Sequence, residues 1–220
     1  FDLYVNAALF WMKVNVVASV PLQDMTYVQT LLFMLDGTLN EKTLVSPETI
    51  EKAFVYSAIW AFGMCLNLAE DGTDQRKLLS DWWRSEFKNV KFPPRETVFD
   101  YWLDVEEMNF EQWSKSPYFY EVDFDSSSTP MASVTVPTAE TCSVAFWMQT
   151  LVDMKRPVML AGPAGVGKTQ MVLGMLHKLD PAKMTECTVN FNSFEVNFSF
   201  LFVNNFWFFS FFICICYSRK

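Results

Sequence analysis

The chain of 220 residues contains one histidine, His177. A Ser-His-Asp or Cys-His hydrolase takes its base from a histidine, so such a scheme has no choice of position here. His177 also falls near the end of a helical pattern, where an imidazole favours the helix dipole rather than chemistry. Positive charge is scarce as well. Seventeen Lys and Arg stand against 25 Asp and Glu, a formal net charge of −8. That balance argues against a nucleic-acid partner, whose phosphates would call for a basic surface. The five cysteines (Cys65, Cys142, Cys187, Cys214 and Cys216) have neither metal-ligand nor disulfide spacing. Cys214-x-Cys216 lacks the two-residue spacer of redox and zinc motifs, and reduced cytosolic thiols are the plain reading. No signal peptide opens the chain, which starts at Phe1-Asp2-Leu3 without methionine, as a piece cut from something longer would.

Against these absences stands Gly162-Pro163-Ala164-Gly165-Val166-Gly167-Lys168-Thr169-Gln170. It fits G-x-x-x-x-G-K-[ST], a loop whose backbone N–H groups cradle phosphates. Glycine supplies the positive φ and the close backbone approach that such a cradle needs. The following helix N-terminus adds its dipole. In this pattern Lys168 reaches the β- and γ-phosphates and the Thr169 hydroxyl ligates Mg²⁺. The flanks agree with the motif. Residues 156–161 form a short apolar run of strand length. After the loop, Val172, Met175, Leu176 and Leu179 recur at helical spacing until Asp180-Pro181. Residues 186–191 read as the next strand. The expected set of residues is incomplete, however. Hydrolysis needs an acidic pair at the end of a later strand. After Thr169 the chain offers only Asp180, Glu186 and Glu195, and none ends an apolar strand as such a pair.

The first 90 residues read as helical. Residues 1–15 carry an apolar face through Leu3, Ala7, Phe10, Trp11 and Val14. A second helix runs through Met25, Val28, Leu31, Leu32 and Leu35 and is closed by Gly37. Ser46-Pro47-Glu48 combines an N-cap, a proline at the first position and an acid near the positive dipole end. The helix it starts is expected to reach about Ala69. Residues 74–87 place Leu78, Leu79, Trp82 and Trp83 on one side as core. Residues 97–103 and 109–113 then suggest an aromatic hairpin, with Asp104, Glu106 and Glu107 in a solvated turn rather than a catalytic carboxylate pair. Asp125-Ser-Ser-Ser-Thr-Pro130 is linker-like. Thr138-Ala-Glu-Thr141 begins a helix to about Lys155, with Val144, Trp147, Met148 and Leu151 inward.

Several of these segments resemble the dynein heavy chain family, most of all its axonemal outer-arm type. They are residues 54–63 (FVYSAIWAFG), 82–88 (WWRSEFK), 91–93 (KFP), 97–101 (TVFDY), 110–114 (FEQWS), and 138–141 (TAET) leading through 156–169 to the loop. The resemblance covers about residues 1–194. It implies a truncated α/β P-loop NTPase of the AAA+ class, preceded by a mainly helical AAA+ small subdomain with an aromatic β-hairpin. Residues 1–90 would close a second AAA+ module, 91–133 would be hairpin and linker, and 134–195 would open a third module. It further implies ATP or ADP and Mg²⁺ as cofactors, held by Gly162–Gln170 with Thr169 on the metal. The backbone of Val136, Pro137 and Thr138 would lie beside the adenine. Implied partners are the rest of the AAA+ ring, with intermediate and light chains and microtubules reached through the full-length motor of a ciliary axoneme. No nucleic acid and no membrane are expected. Two features depart from the family. Cys142-Ser143 stands where a basic residue often follows the Glu-Thr pair, and the acidic pair, sensors, partner arginine, stalk and linker are missing. The segment by itself is expected to bind nucleotide without efficient hydrolysis. A non-catalytic structural piece with an idle loop, and a membrane-anchored P-loop protein, are the alternatives.

The last absence is of charge. Val196–Tyr217 has none, and residues 198–217 hold eight phenylalanines. The run has the length and apolarity of a spanning helix. Its T- and A-rich codon families, and a Val196-Asn197 pair that an intron beginning GTAAAT would encode, make residues 196–220 read as translated intron. A membrane segment and a divergent core strand remain the other readings. Without gatekeeper charges, the tail is an aggregation hazard.

Overall fold

The computed structural model describes residues 1–17, 22–122, 136–162, 164–176, 184–187, 199–203 and 206–212, the last three stretches by their backbone. They fall in two compact units, Phe1–Phe119 and Tyr120–Lys220.

The first unit is built around one buried helix. In chain order it contains α1 (Asp2–Asn15), α2 (Asp24–Thr38), α3 (Pro47–Gly63) and α4 (Gln75–Glu86). A hairpin of β1 (Tyr101–Asp104) and β2 (Asn109–Gln112) follows. Helix α3 starts where its sequence says. Ser46 Oγ accepts from Thr49 N at 3.2 Å while Thr49 Oγ1 accepts from Ser46 N at 3.0 Å, with Pro47 at the first position. From Val55 to Gly63 every residue is buried, because helices, hairpin and 3₁₀ turn pack around it. It stops at Gly63, short of the expected Ala69. There Leu68 and Asp74 pair across a tight turn, and Asp74 Oδ1 already caps α4 by accepting from Lys77 N.

Two helix expectations are corrected. Gly37 does not close α2. The helix continues through Thr38, whose hydroxyl turns back to Met34 O at 3.0 Å and meets Ser57 Oγ at 2.9 Å. In α1 the expected inward face points out: Leu3, Phe10 and Val14 are exposed, whereas Tyr4, Val5, Ala8 and Met12 are buried. Both sides of α1 are apolar, and aromatic packing chooses between them. Tyr4 lies against Phe54, Trp83 and Phe87 and donates its hydroxyl to Glu51 Oε1 at 2.7 Å.

The aromatic hairpin belongs to the same unit. Tyr101 to Asp104 pair with Gln112 to Asn109 antiparallel. Residues 97–100, expected as strand, instead form a 3₁₀ turn capped by Thr97 and Asp100. Trp113 Nε1 donates to Phe99 O at 2.9 Å, and Trp60 packs edge-on against both Phe99 and Trp113. The acidic turn is solvated as expected, with Asp104 Oδ1 accepting from Glu106 N and Lys42 reaching Glu106.

The second unit contains α5 (Ala139–Asp153), β3 (Val158–Met159), α6 (Lys168–Leu176), β4 (Met184–Cys187), β5 (Ser199–Val203) and β6 (Phe206–Phe212). The sheet order is β3-β6-β5-β4, with β3 parallel to β6 and the other pairs antiparallel. The strand expected over 186–191 is described earlier, as Met184–Cys187, and residues 188–198 lie outside the described set. The apolar tail contributes two strands over 199–203 and 206–212 rather than a helix. Among the described residues no helix is long and apolar enough to cross a membrane. The linker 125–130 and His177 also fall outside the described residues.

Candidate functional site: the Gly162–Gln170 loop

The loop is carried by β3, α5 and α6. Thr138 Oγ1 accepts from Thr141 N and Thr141 Oγ1 accepts from Thr138 N, so α5 begins at a reciprocal cap. The helix ends with Lys155 in the left-handed region (φ 56), its N–H bonded to Val152 O and that of Arg156 to Leu151 O. The chain thereby reverses into β3. Met148 and Val152 of α5 form a buried cluster with Val172 and Met175 of α6, and Val158 and Leu160 pack on it. Those contacts fix the start of α6 relative to the strand, and the loop bridges the two.

Gly165 and Gly167 adopt φ of 83° and 82°, the left-handed conformation that non-glycine residues resist. A methyl group at either would meet nothing within 4 Å. Backbone conformation, not space, therefore demands glycine at both. Ala164, Gly165, Val166, Gly167, Thr169 and Gln170 are exposed, so the loop and the first turn of α6 face solvent. Met171 N donates to Gly167 O at 3.0 Å, the first helical bond of α6, which leaves the preceding N–H groups outside the helix ladder. The Lys168 ammonium donates to Gly162 O at 2.8 Å. This reach across six residues bends the lysine back over its own loop, where an anion would meet it. The geometry fits a polyphosphate: left-handed glycines, a helix start, and a lysine folded over them.

The remaining expected site residues are placed less closely together. Val136 is exposed, and its carbonyl accepts from Thr141 Oγ1 at 3.4 Å. Thr138 serves as N-cap of α5, with Pro137 just before it. Pro163 lies outside the described residues. Cys142 and Ser143, which stand where the resemblance implied a basic residue, are both buried. Ser143 Oγ donates to Glu140 O at 2.9 Å, and burial pushes the Cys142 thiol pKa up, so neither presents a charge. Glu186 lies in β4 opposite Leu201, and Asp180 and Glu195 are outside the described residues. Among the described residues no cluster of three or more His, Cys, Asp or Glu could hold a metal. The Gly162 carbonyl as acceptor for Lys168 had no signal in the sequence, because backbone oxygens carry none.

Comparison with known proteins decides the family. Residues 1–115 match the dynein heavy chain AAA lid domain, and residues 124–199 match the P-loop containing dynein motor region. The chain belongs to the dynein heavy chain family. It is 35% identical over 203 residues to the dynein alpha chain of the flagellar outer arm of Chlamydomonas reinhardtii, covering 91% of this chain and 4% of that one. It is 36% identical over 200 residues to human dynein axonemal heavy chain 9, and equally so to the ciliary dynein beta chain of Tripneustes gratilla; each match covers 90% of this chain and 4% of the relative. The chain therefore spans about 4% of the length of these axonemal relatives. The lid match includes the aromatic hairpin, and the P-loop match includes the whole of Gly162–Gln170.

Proposed function

We propose that the chain is the stretch of an axonemal dynein heavy chain where one AAA+ module's helical lid leads into the P-loop of the next. In this reading Gly162–Gln170 binds the phosphates of ATP or ADP. Lys168 exchanges Gly162 O for phosphate oxygens, and Thr169 ligates Mg²⁺. Val136, Pro137 and Thr138 border the adenine. The observation that carries it is the loop itself: left-handed Gly165 and Gly167 between β3 and α6, with Lys168 folded over them. When bound, Mg²⁺ and the nucleotide supply the phosphoryl chemistry. The chain's own contribution is to hold and orient the phosphates. Among the described residues none able to polarise an attacking water is assembled at the loop, and the sequence after Thr169 offers no acidic pair at a strand end, so this reading has the 220 residues bind without efficient turnover. In the full-length protein the segment serves a microtubule motor ATPase of the cilium or flagellum, with the rest of the AAA+ ring, intermediate and light chains, and microtubules as partners.

The test is titration of the 220-residue chain with a fluorescent ATP analogue and Mg²⁺, for the parent and Lys168→Ala. Loss of one charge-assisted contact of about 1.5–3 kcal/mol predicts an affinity lower by roughly tenfold to a hundredfold. Equal affinities would mean that the loop is idle and the segment structural. Steady turnover above about 1 s⁻¹ would overturn the claim of poor hydrolysis. The same reading makes residues 196–220 translated intron, and it draws support from the P-loop family match ending at residue 199. Messenger RNA sequence across codons 190–205 tests it. A transcript that leaves this reading frame's text after Glu195 supports it, and one spliced as written refutes it.

A further inference from the structure

Four aromatic side chains of the first unit form a continuous file from its surface to its core. Trp11 of α1 and Trp82 of α4 are half-buried and stack with ring centroids 5.0 Å apart. Trp82 meets Trp83 edge-on at 5.9 Å, and Trp83 stacks on Tyr4 at 6.0 Å with the ring planes 7° apart. Trp83 and Tyr4 are buried. The file ends on a base. The Tyr4 hydroxyl donates to Glu51 Oε1 of α3 at 2.7 Å, the length of a bond to a charged acceptor, and Asn89 Nδ2 donates to the same oxygen at 3.3 Å. Indole and phenol are among the side chains that give up one electron most readily, and a phenol must give up its proton with it. We infer that Trp11, Trp82, Trp83 and Tyr4 form a relay that carries an oxidising equivalent from the surface to Tyr4, with Glu51 taking the phenolic proton.

The reaction starts with a diffusible one-electron oxidant, an inorganic radical, that takes an electron from the outer indole pair and leaves an indole radical cation. An electron then passes outward from Tyr4 through Trp83 to refill that indole. The O–H bond of Tyr4 breaks and its proton joins the Glu51 carboxylate. An indole radical cation, a phenol and a carboxylate thus become an indole, a neutral phenoxyl radical and a carboxylic acid, with charge conserved. The direction follows from acidity. An oxidised phenol is a strong acid, so its oxidation is easy where a base stands within hydrogen-bond reach, and Tyr4 has one. Burial, then the Glu51 contact, raises the Tyr4 phenol pKa, so Tyr4 keeps its proton until the ring is oxidised. Rings at these separations touch or nearly touch, so no solvent interrupts the path. The half-buried indoles are thereby spared lasting oxidation, and the radical rests on a ring that is 4% exposed. The relay lies within the first unit and is independent of the nucleotide loop.

Pulse radiolysis of the 220-residue chain with azide radical, which oxidises indoles ahead of phenols, tests it. The tryptophanyl signal should decay into a tyrosyl signal in a phase whose rate is independent of protein concentration. Tyr4→Phe keeps the ring without the phenol. It should lose that phase and, after steady exposure, show more oxidation of Trp11 and Trp82 by peptide mass spectrometry. Glu51→Gln keeps a hydrogen-bond acceptor but removes the base. It should slow the phase by roughly tenfold, the change that one charge-assisted hydrogen bond is worth. Tyr27→Phe, whose ring stacks on Phe62 instead, should leave the phase unchanged. An equally fast phase in Tyr4→Phe overturns the inference, and so does a parent chain whose tryptophanyl signal decays without a tyrosyl one. Equal rates in Glu51→Gln and the parent also overturn it, because the proton then leaves by another route.

Discussion

Replacing Gly63 by alanine would put a methyl group where the first unit has no room. A Cβ at that position would lie 2.2 Å from Cζ and 2.4 Å from Cε1 of Phe99, with Leu79 Cδ2 at 3.3 Å. Carbon atoms prefer about 3.5–4.0 Å, so the ring would have to retreat by more than about 1 Å. Little allows it to. Phe99 packs edge-on against Trp60 at 5.3 Å, and Arg76 lies over its ring at 5.7 Å. Its backbone is held by the Thr97–Asp100 cap and by the Trp113 indole bonded to its carbonyl. Overpacking of this kind costs about 1–3 kcal/mol, and this site belongs at the upper end. The gain from replacing glycine in a helix is at most about 1 kcal/mol, and less at the last helical residue. The net expectation is a destabilisation of about 2 kcal/mol, or roughly 6–12 °C in Tm for a unit of this size. Urea and thermal unfolding of Gly63→Ala read it directly. The double variant Gly63→Ala/Phe99→Leu should recover much of the loss, with a coupling of about 1–2 kcal/mol. A Gly63→Ala protein as stable as the parent, or a cycle without coupling, would refute the account.

Other expectations follow from named contacts. Gly165→Ala and Gly167→Ala should each cost about 1–2 kcal/mol in the left-handed region even though the new methyl meets nothing, seen as a lower Tm on thermal unfolding; an unchanged Tm would contradict it. Met108→Gly should stabilise the hairpin by up to about 1 kcal/mol, since Met108 sits at φ 48; no gain on urea unfolding would contradict it. Ser46→Ala should destabilise the first unit by about 1 kcal/mol through loss of the α3 cap, again by urea unfolding. Burial, followed by the Glu51 and Cys65 contacts respectively, raises the Tyr4 and Tyr27 phenols above their ordinary value near 10. A raised folded-state pKa contributes stability that is complete below the unfolded pKa and is lost as pH climbs through the folded one. Stability should thus fall above about pH 10, and less steeply in Tyr4→Phe; identical pH profiles would rule out that origin.

The features legible in the sequence were local ones. Ser46-Pro47-Glu48 and Thr138–Thr141 start helices because a side chain two or three residues away satisfies a free amide, and nothing distant competes. Gly165 and Gly167 could be read as cradle positions because the demand for positive φ acts on one residue at a time. The family segments were legible for a similar reason, as a run such as WWRSEFK carries its identity in order alone. The P-loop match is likewise carried by residue order alone.

Other features depended on competition between distant parts of the chain. Helix α1 has apolar residues on both sides, and only the rings of Phe54, Trp83 and Phe87 decide that Tyr4 turns in and Phe10 turns out. Gly37 looked like a stop, but a buried hydroxyl pair between Thr38 and Ser57 carries α2 past it. The end of α3 at Gly63 is set by the Phe99 ring pressed against it and by the turn into Asp74. The apolar tail could have been a helix on hydropathy alone, yet β5 and β6 pair with each other, with β4 and with β3. The sequence by itself determined the caps, the glycine cradle and the family. Only the tertiary structure decided which apolar face is buried and which strands adjoin, because those choices turn on the free energy of contacts between residues far apart in the chain.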